Sequence, residues 1–489
     1  MSSVSTDASA WLAGLLTALA IALPAPAEET TPAEEVIAQL VAEAEAANLE
    51  LAGAAAGVAQ RLAVLDQARA RYLPAIDLSL RYSRADGGRE IDIPVGDLLN
   101  PVYASLNSLL EASGQPAPFQ PIDNASIPFL RDREQESVVT LTQPLYDARI
   151  GAAARAAAGE YDAALFGLDA LRVRVRRDVR QAYVRWLATR ASVGILESSL
   201  GAAQENQRVN DSLHRNGRAT RDVVLRAEAD VLEIEQQLAA ARGGERVAQN
   251  YVNLLRNAAL DTSLPPAQVS DADVTRLRDA LIRRAGGAAR DRTTLQDTAV
   301  ERRPELRQID SGLEASAAAQ DLARAAFKPQ LALAVDAGIQ GEEYGFDEED
   351  RFVLASVVLR FNFFRGGADR AALREARERT AELRTARDLA EQQIRLEVLQ
   401  AVTDFEVAEA TLRTTAKRVA AAQGAFDIAR RKRDLGQIPP VEFIDARRAL
   451  TSAQLSEQVT RFEALAALAQ VEYALGGIPG SGPATESTP

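Results

Sequence analysis

The sequence predicts a mixed α+β chain, mostly α, in which one layout occurs twice: a β-hairpin followed by two very long helices. Three observations carry that prediction. Proline is absent between Pro144 and Pro265 and again between Pro329 and Pro439, and a helix interior is where proline is tolerated worst. Aromatic residues make up only 5% of the 489 residues, which suits long, narrowly packed helices better than thick cores built on Phe and Trp. The two halves also keep step. Gly436 lies 219 residues after Gly217 and Pro329 lies 255 after Pro74, so the first copy is 36 residues longer between those landmarks.

Residues 1–27 contain an apolar run from Trp11 to Leu23 and then Pro24-Ala25-Pro26-Ala27. They read as a signal peptide cleaved near Glu28, although no Lys or Arg precedes the run. No other apolar stretch approaches the roughly 20 residues of a membrane-spanning helix. If the chain crosses a membrane, strands must do it.

Residues 28–262 form the first repeat: a helical segment, a hairpin over 75–145, and long helices over 149–215 and 219–260. In the outgoing strand Ile76, Leu78, Leu80 and Tyr82 alternate with Asp77, Ser79 and Arg81; the return strand lies around Val139-Thr140-Leu141. Between them, residues 85–136 are rich in Pro, Gly and Asn and read as an extended loop with a short helix from Val102 to Ala112 and no assigned role. The first long helix carries the seam Val175, Val179, Ala182, Trp186, Thr189, Val193, Leu196, Leu200 and Ala203, spaced four and three apart, as in a coiled coil. From Arg149 to the break at Asn216-Gly217 it would extend about 100 Å. The second seam is Val224, Ala227, Val231, Ile234, Leu238 and Ala241.

An inter-repeat segment, 263–303, leads to the second repeat, 304–477. Its hairpin, 330–363, alternates Leu331, Leu333, Val335 and Ala337 outward and Val353, Ala355, Val357, Leu359 and Phe361 on the return. Its long helices, 367–434 and 439–475, meet at Leu435-Gly436. Residues 478–489 read as a disordered tail. Tyr72 and Phe327 before the outgoing strands, and Tyr146, Phe363 and Phe364 after the returning ones, are placed as an interfacial girdle would place them. Two amphipathic hairpins on a soluble core would show the same strand pattern, but no other segment suits covering their apolar faces. Four strands cannot close a lipid-facing barrel, because open edges leave backbone groups unsatisfied in hydrocarbon. Several copies must contribute, and the pattern allows two, three or more.

Composition excludes other classes. Lys and Arg number 56 against 69 Asp and Glu, a net charge of −13, which opposes nucleic-acid binding and favours cations or cationic partners. There is no Cys, one His (His214) and one Met (Met1), so disulfides, a lipidated cysteine and side-chain metal clusters are not expected. No phosphate-binding loop and no nucleophile with a His partner is present. Neither an enzyme nor a cofactor is expected.

The chain resembles the TolC family of outer-membrane efflux and secretion ducts over nearly all of its mature length. The resemblance rests on the duplication, on Arg71-Tyr72-Leu73-Pro74 and Ala326-Phe327-Lys328-Pro329 ahead of the hairpins, on Gln143-Pro144-Leu145-Tyr146-Asp147, on Arg303-Pro304-Glu305-Leu306, and on a Gly ahead of an acidic, Ala-containing return helix in each copy. It implies a homotrimer in the outer membrane, with a twelve-stranded barrel above a twelve-helix periplasmic tunnel. It also implies two partners, a periplasmic adaptor and an inner-membrane RND or ABC pump, and a belt built from the inter-repeat segment and the C-terminal tail.

In that family, acidic residues six and nine positions after the second tip glycine form the inner constriction; Glu442 and Asp445 match them. Three apart, they share a helix face, and threefold symmetry would make stacked carboxylate rings that attract cations. A solvated helix face is what such a pair means without the family context. In the first copy the sixth position is Val223 and Asp222 is its neighbour. The family's basic residue two after the glycine is replaced by Ile438 and its aromatic by Arg433, so closing ties are expected from Arg433, Arg221 and Asp222. The tips Asn216-Gly217-Arg218 and Leu435-Gly436-Gln437 match the adaptor-contact turns, where plain helix capping accounts equally for the glycines. The function implied is the exit duct of tripartite small-molecule efflux. The alternatives are an exit duct for type I protein secretion and a structural coiled-coil stalk without a channel.

Overall fold

The computed structural model describes residues 33–267, 269–284, 291–343 and 347–477; the expected signal peptide and C-terminal tail lie outside them. The first half contains α1 (Ala33–Ala47), α2 (Leu49–Ala70), β1 (Ala75–Arg84), β2 (Glu90–Ile93), α3 (Val95–Ala112), β3 (Ala125–Pro128), β4 (Arg133–Asp147), α4 (Ala148–Arg215) and α5 (Arg221–Leu255). After α6 (Asp271–Arg284) and α7 (Arg292–Arg302) come α8 (Pro304–Ala325), β5 (Gln330–Gly341), β6 (Arg351–Arg360), α9 (Ala368–Asp434) and α10 (Pro440–Ala474). The chain is α+β and mostly helical. The duplication shows in length: α4 and α9 have 68 and 67 residues, and α5 and α10 have 35 each. The described residues divide into two compact units, one within 50–172 and 299–397 and the other within 33–49, 173–298 and 398–477.

The first of these units holds an antiparallel sheet in the order β1-β4-β5-β6. Its register lines up apolar rows: Ile76 with Leu141, Val335 and Ala355, and Leu78 with Val139, Ala337 and Val353. The strand period of two therefore puts one continuous apolar face on all four strands, and Ile76, Leu78 and Val353 are 68, 66 and 76% exposed. The opposite face is more polar. There the Thr140 hydroxyl donates to Asp336 at 2.7 Å and Arg81 pairs with Glu136 at 2.7 Å. β4 continues through Pro144 with a register shift between Pro144 and Tyr146, since proline has no N–H for the ladder. Below the sheet, helices pack through small residues. Leu65 and Ala68 of α2 meet Ala157 of α4, and a Cβ at Gly159 would come within 2.7 Å of the Ala315 nitrogen of α8.

In the other unit the expected seams are the core. Val193, Leu196 and Ala203 of α4 pack against Val231, Ile234 and Leu238 of α5, with Leu455 of α10 alongside. Tyr183 and Trp186, both fully buried, stack at 5.5 Å, and the Tyr183 hydroxyl donates to the Pro265 carbonyl at 2.7 Å. Burial pushes that phenol well above its usual pKa.

Several bounds differ from the sequence reading for local reasons. α5 stops at Leu255, because Asn257 takes a φ of +53° and the Ala258 N–H turns back to the Asn253 carbonyl; asparagine tolerates that left-handed cap. β4 begins at Arg133, so the connection from β1 is shorter than expected. It is also structured: β2 and β3 pair, and the helix starts at Val95 and runs through Pro101.

Candidate functional site

Both helical tips close in the same way. Gly217 has a φ of +69° and Gly436 of +70°. Around them the N–H groups of Arg218 and Gln437 each donate to a carbonyl five residues back, Leu213 and Lys432, at 2.8 Å. This is the Schellman cap, which needs a left-handed residue after the helix and so selects glycine. The His214 ring Nδ1 donates to the Ala219 carbonyl at 2.9 Å and spans the first turn. Leu435 is 70% exposed, and Asn216, Gly217, Arg218, Gly436 and Gln437 are exposed as well.

Glu442 lies in the first turn of α10 and Asp445 one turn on; both are exposed. Neither carboxylate has a hydrogen bond or ion pair among the described residues. Asp222, at the start of α5, accepts a hydrogen bond from the Thr220 hydroxyl and lies 3.9 Å from Arg226. That hydroxyl, more than the arginine, holds its carboxyl below the usual range.

Among the described residues the expected ties make no hydrogen bond or ion pair between the two tips of one chain, although, after the Arg208 hydrogen bond, the Arg433 charge helps to lower the pKa of Glu205 on α4. Arg433 pairs with Asp434 at 2.7 Å and lies 4.2 Å over the Phe443 ring, which packs on Phe426. It fastens α9 to α10 inside the second hairpin. Asp222 is engaged locally, and Arg221 makes no tie across among the described residues. What joins the hairpins instead is a buried pair about two turns into the return helices. Arg447 of α10 donates Nη2 to both Asp230 oxygens of α5, at 2.6 and 2.7 Å, and Nη1 to the Ser199 hydroxyl of α4. Their side chains are only 4 and 2% exposed. Arg448 adds bonds to Asp230 at 3.1 Å and Glu233 at 2.7 Å, and Ser199 meets Thr451 at 2.9 Å. Burial lowers the Arg447 pKa from its ordinary value, against the pull of the Asp230 charge.

This pair sets how α10 is turned. At about 100° per residue, Arg447 lies roughly 140° around the helix from Glu442 and 160° from Asp445. With Arg447 fixed inward, both carboxylates face away from the packed side. The core beside the pair is polar too: Asn206 and Asn210 of α4 are buried, with amide nitrogens unpaired among the described residues. Sequence reasoning missed these residues. Asp230 sits one position off the seam at Val231, where a charge is ordinary in a coiled coil.

At the second candidate surface, the register gathers the aromatics at one end of the sheet. Tyr146 lies opposite Leu331 and Leu331 opposite Leu359, Tyr72 and Phe327 precede β1 and β5, and Phe363 and Phe364 follow β6. Tyr72, Tyr146 and Phe327 are about half exposed, and Phe363 and Phe364 are 90 and 83% exposed. No described helix is long and apolar enough to cross a membrane, and no described group of three His, Asp or Glu is placed to hold a metal.

Comparison with known proteins agrees with this architecture. Protein CyaE of Bordetella pertussis is 31% identical over 179 residues, which is 36% of this chain and 38% of that protein's length. Among solved structures, the CmeC outer membrane channel of Campylobacter jejuni superposes with a TM-score of 0.73 at 15% identity, covering 91% of this chain and 86% of that one. The outer membrane protein VceC of Vibrio cholerae gives 0.70 at 17% identity, covering 90 and 96%. The sequence pattern of the family described as outer membrane efflux protein matches residues 40–258 and 295–477. Since those two stretches take in most of the chain, it belongs to the outer membrane efflux protein family.

Proposed function

We propose that three copies of this chain close their four-stranded sheets into one barrel in the outer membrane and continue as a helical duct into the periplasm. The duct would be the exit of a tripartite pump for small molecules. The observation that carries this is the sheet itself, which has one continuous exposed apolar face, an aromatic row at one end, and two edge strands, β1 and β6, with free edges. An exposed apolar face needs lipid, and free edges in lipid need other copies. A stalk without a channel has no use for such a face.

At the inner end, Glu442 and Asp445 of the three copies form the constriction, with Asp222 beside it, and Arg447 on Asp230 keeps them turned toward the pore. Facing carboxylates repel one another when the pore is empty, so bound multivalent cations favour closure. The glycine turns at Gly217 and Gly436 are the contact for a periplasmic adaptor, which links the duct to an inner-membrane pump of the RND or ABC kind.

Single-channel recording of the purified protein tests this reading. Wild type is expected to conduct poorly and to be blocked by multivalent cations, and Glu442→Ala with Asp445→Ala to conduct more and lose that block. Unchanged conductance and block in the double variant would remove the carboxylates from the constriction. An open channel whose deletion abolishes export of a polypeptide, with small-molecule resistance unaffected, would replace small-molecule efflux by protein secretion.

A further inference from the structure

The residues that join β1 to β4 form a built module. β2 pairs with β3 from Glu90 opposite Pro128 to Ile93 opposite Ala125, and the segment after α3 runs back along that helix. Asn100 Nδ2 donates to the Ile122 carbonyl at 2.9 Å while its Oδ1 accepts the Ile122 N–H at 2.8 Å. Asn107 makes the same reciprocal pair with Phe119, at 2.6 and 3.1 Å. Between them Tyr103 stacks on Phe119 at 5.2 Å. A Cβ at Gly96 would meet the Ile122 carbonyl oxygen at 2.2 Å, so glycine is what lets the segment seat. One face of α3 is thereby covered and the helix is held in a fixed rotation.

Its other face carries Leu98, Val102 and Leu109, 69, 52 and 69% exposed, in one stripe along the helix. Charge argues against lipid as its cover. α3 contains Asp97 and Glu111 and no basic residue, and residues 85–132 hold seven acidic residues against two basic ones. A helix that lies on headgroups carries Lys and Arg on its polar face; this one would be repelled by an anionic surface. Size argues against a free partner, because one stripe of an 18-residue helix falls well short of the roughly 1,200 Å² of a stable interface. The occupant must already be held alongside.

Continuity with the barrel supplies such an occupant. β1 is an edge strand, and the module leaves it directly after Arg84, at the end of the sheet away from the aromatic row. A second copy joined to that edge brings an identical stripe to the same level, and a small contact suffices once the barrel holds both copies at high local concentration. We infer that the α3 helices of neighbouring copies pack on one another through Leu98, Val102 and Leu109 at the outer mouth of the barrel. This rests on the closed multi-copy barrel proposed above.

The chain has no cysteine, so Val102→Cys and Glu111→Cys each give the full-length protein a single thiol, on the exposed stripe and on the far side of α3. Mild oxidation in outer membranes, followed by denaturing gels, is run beside native mass measurement of the same samples. The expected result is a disulfide-linked dimer for Val102→Cys, taking up to two of every three copies, with little for Glu111→Cys and trimers in both. Intact trimers of Val102→Cys whose thiol stays unlinked and open to maleimide would overturn the inference. So would equal linking in both variants, or an environment-sensitive dye on the Val102→Cys thiol that reports an apolar setting only in lipid and without cross-linking. If the wild type itself is not a trimer, the barrel reading fails first and the inference with it.

Discussion

Arg447 and Asp230 show how much two residues can decide at this tip. Removing one partner of a buried pair strands the other charge, at a cost of about 3–5 kcal/mol. Asp230→Ala is therefore expected to loosen α10 from α5 and to open the tips to limited proteolysis, while Asp230→Leu with Arg447→Met restores most of the resistance. Equal resistance in Asp230→Ala and wild type would show that the pair does not set the tip. The turn glycines act through the backbone: Gly217→Val and Gly436→Val each force a β-branched residue into the left-handed region, at roughly 1–2 kcal/mol or more, and should lower the melting temperature of the helical part. The glycines were legible from sequence because a helix break needs a left-handed residue. The Arg447–Asp230 pair was not, because partners 217 residues apart carry no local signal.

At the scale of elements, the two faces of the sheet make opposite predictions. Leu78→Lys puts a charge on the apolar face, where it costs about 2–4 kcal/mol at mid-bilayer, and should deplete the protein from outer membranes. Ser79→Lys, one residue on and facing the other way, should leave its level unchanged; equal loss in both would mean that the apolar face does not meet lipid. The strands were readable because alternation is a strong local signal, and the long helices because proline is missing from them over more than 60 residues. The ordered module between β1 and β4 was legible only in part. Its fold depends on Asn100 and Asn107 reaching a segment 12 to 22 residues away, and on a helix that continues through Pro101, where local propensity argues for a boundary. The end of α5 at Leu255 was hidden for a local reason, since one left-handed residue, Asn257, outweighs an otherwise helical run.

For the whole molecule, the proposed multi-copy barrel rests on the duplicated hairpin-and-helix layout. Each chain offers four strands with two free edges, and lipid does not tolerate free edges. The copies within a chain are not equivalent, however. The first carries the α3 module and a displaced Asp222; the second carries Glu442, Asp445 and the aromatic clasp of Arg433, Phe443 and Phe426. Near its tip the first hairpin buries the polar Ser199, Asn206 and Asn210, whereas the second packs Phe426 on Phe443, so opening is expected to begin in the first. Hydrogen exchange should be faster over residues 206–225 than over residues 425–445, and the reverse order would contradict that assignment. The central claim, that several chains close one barrel, is tested most directly by native mass measurement of the full-length protein extracted from outer membranes. Three copies per particle, dissociating to monomers only on heating in detergent, are predicted; a stable monomer in the membrane fraction would contradict the account.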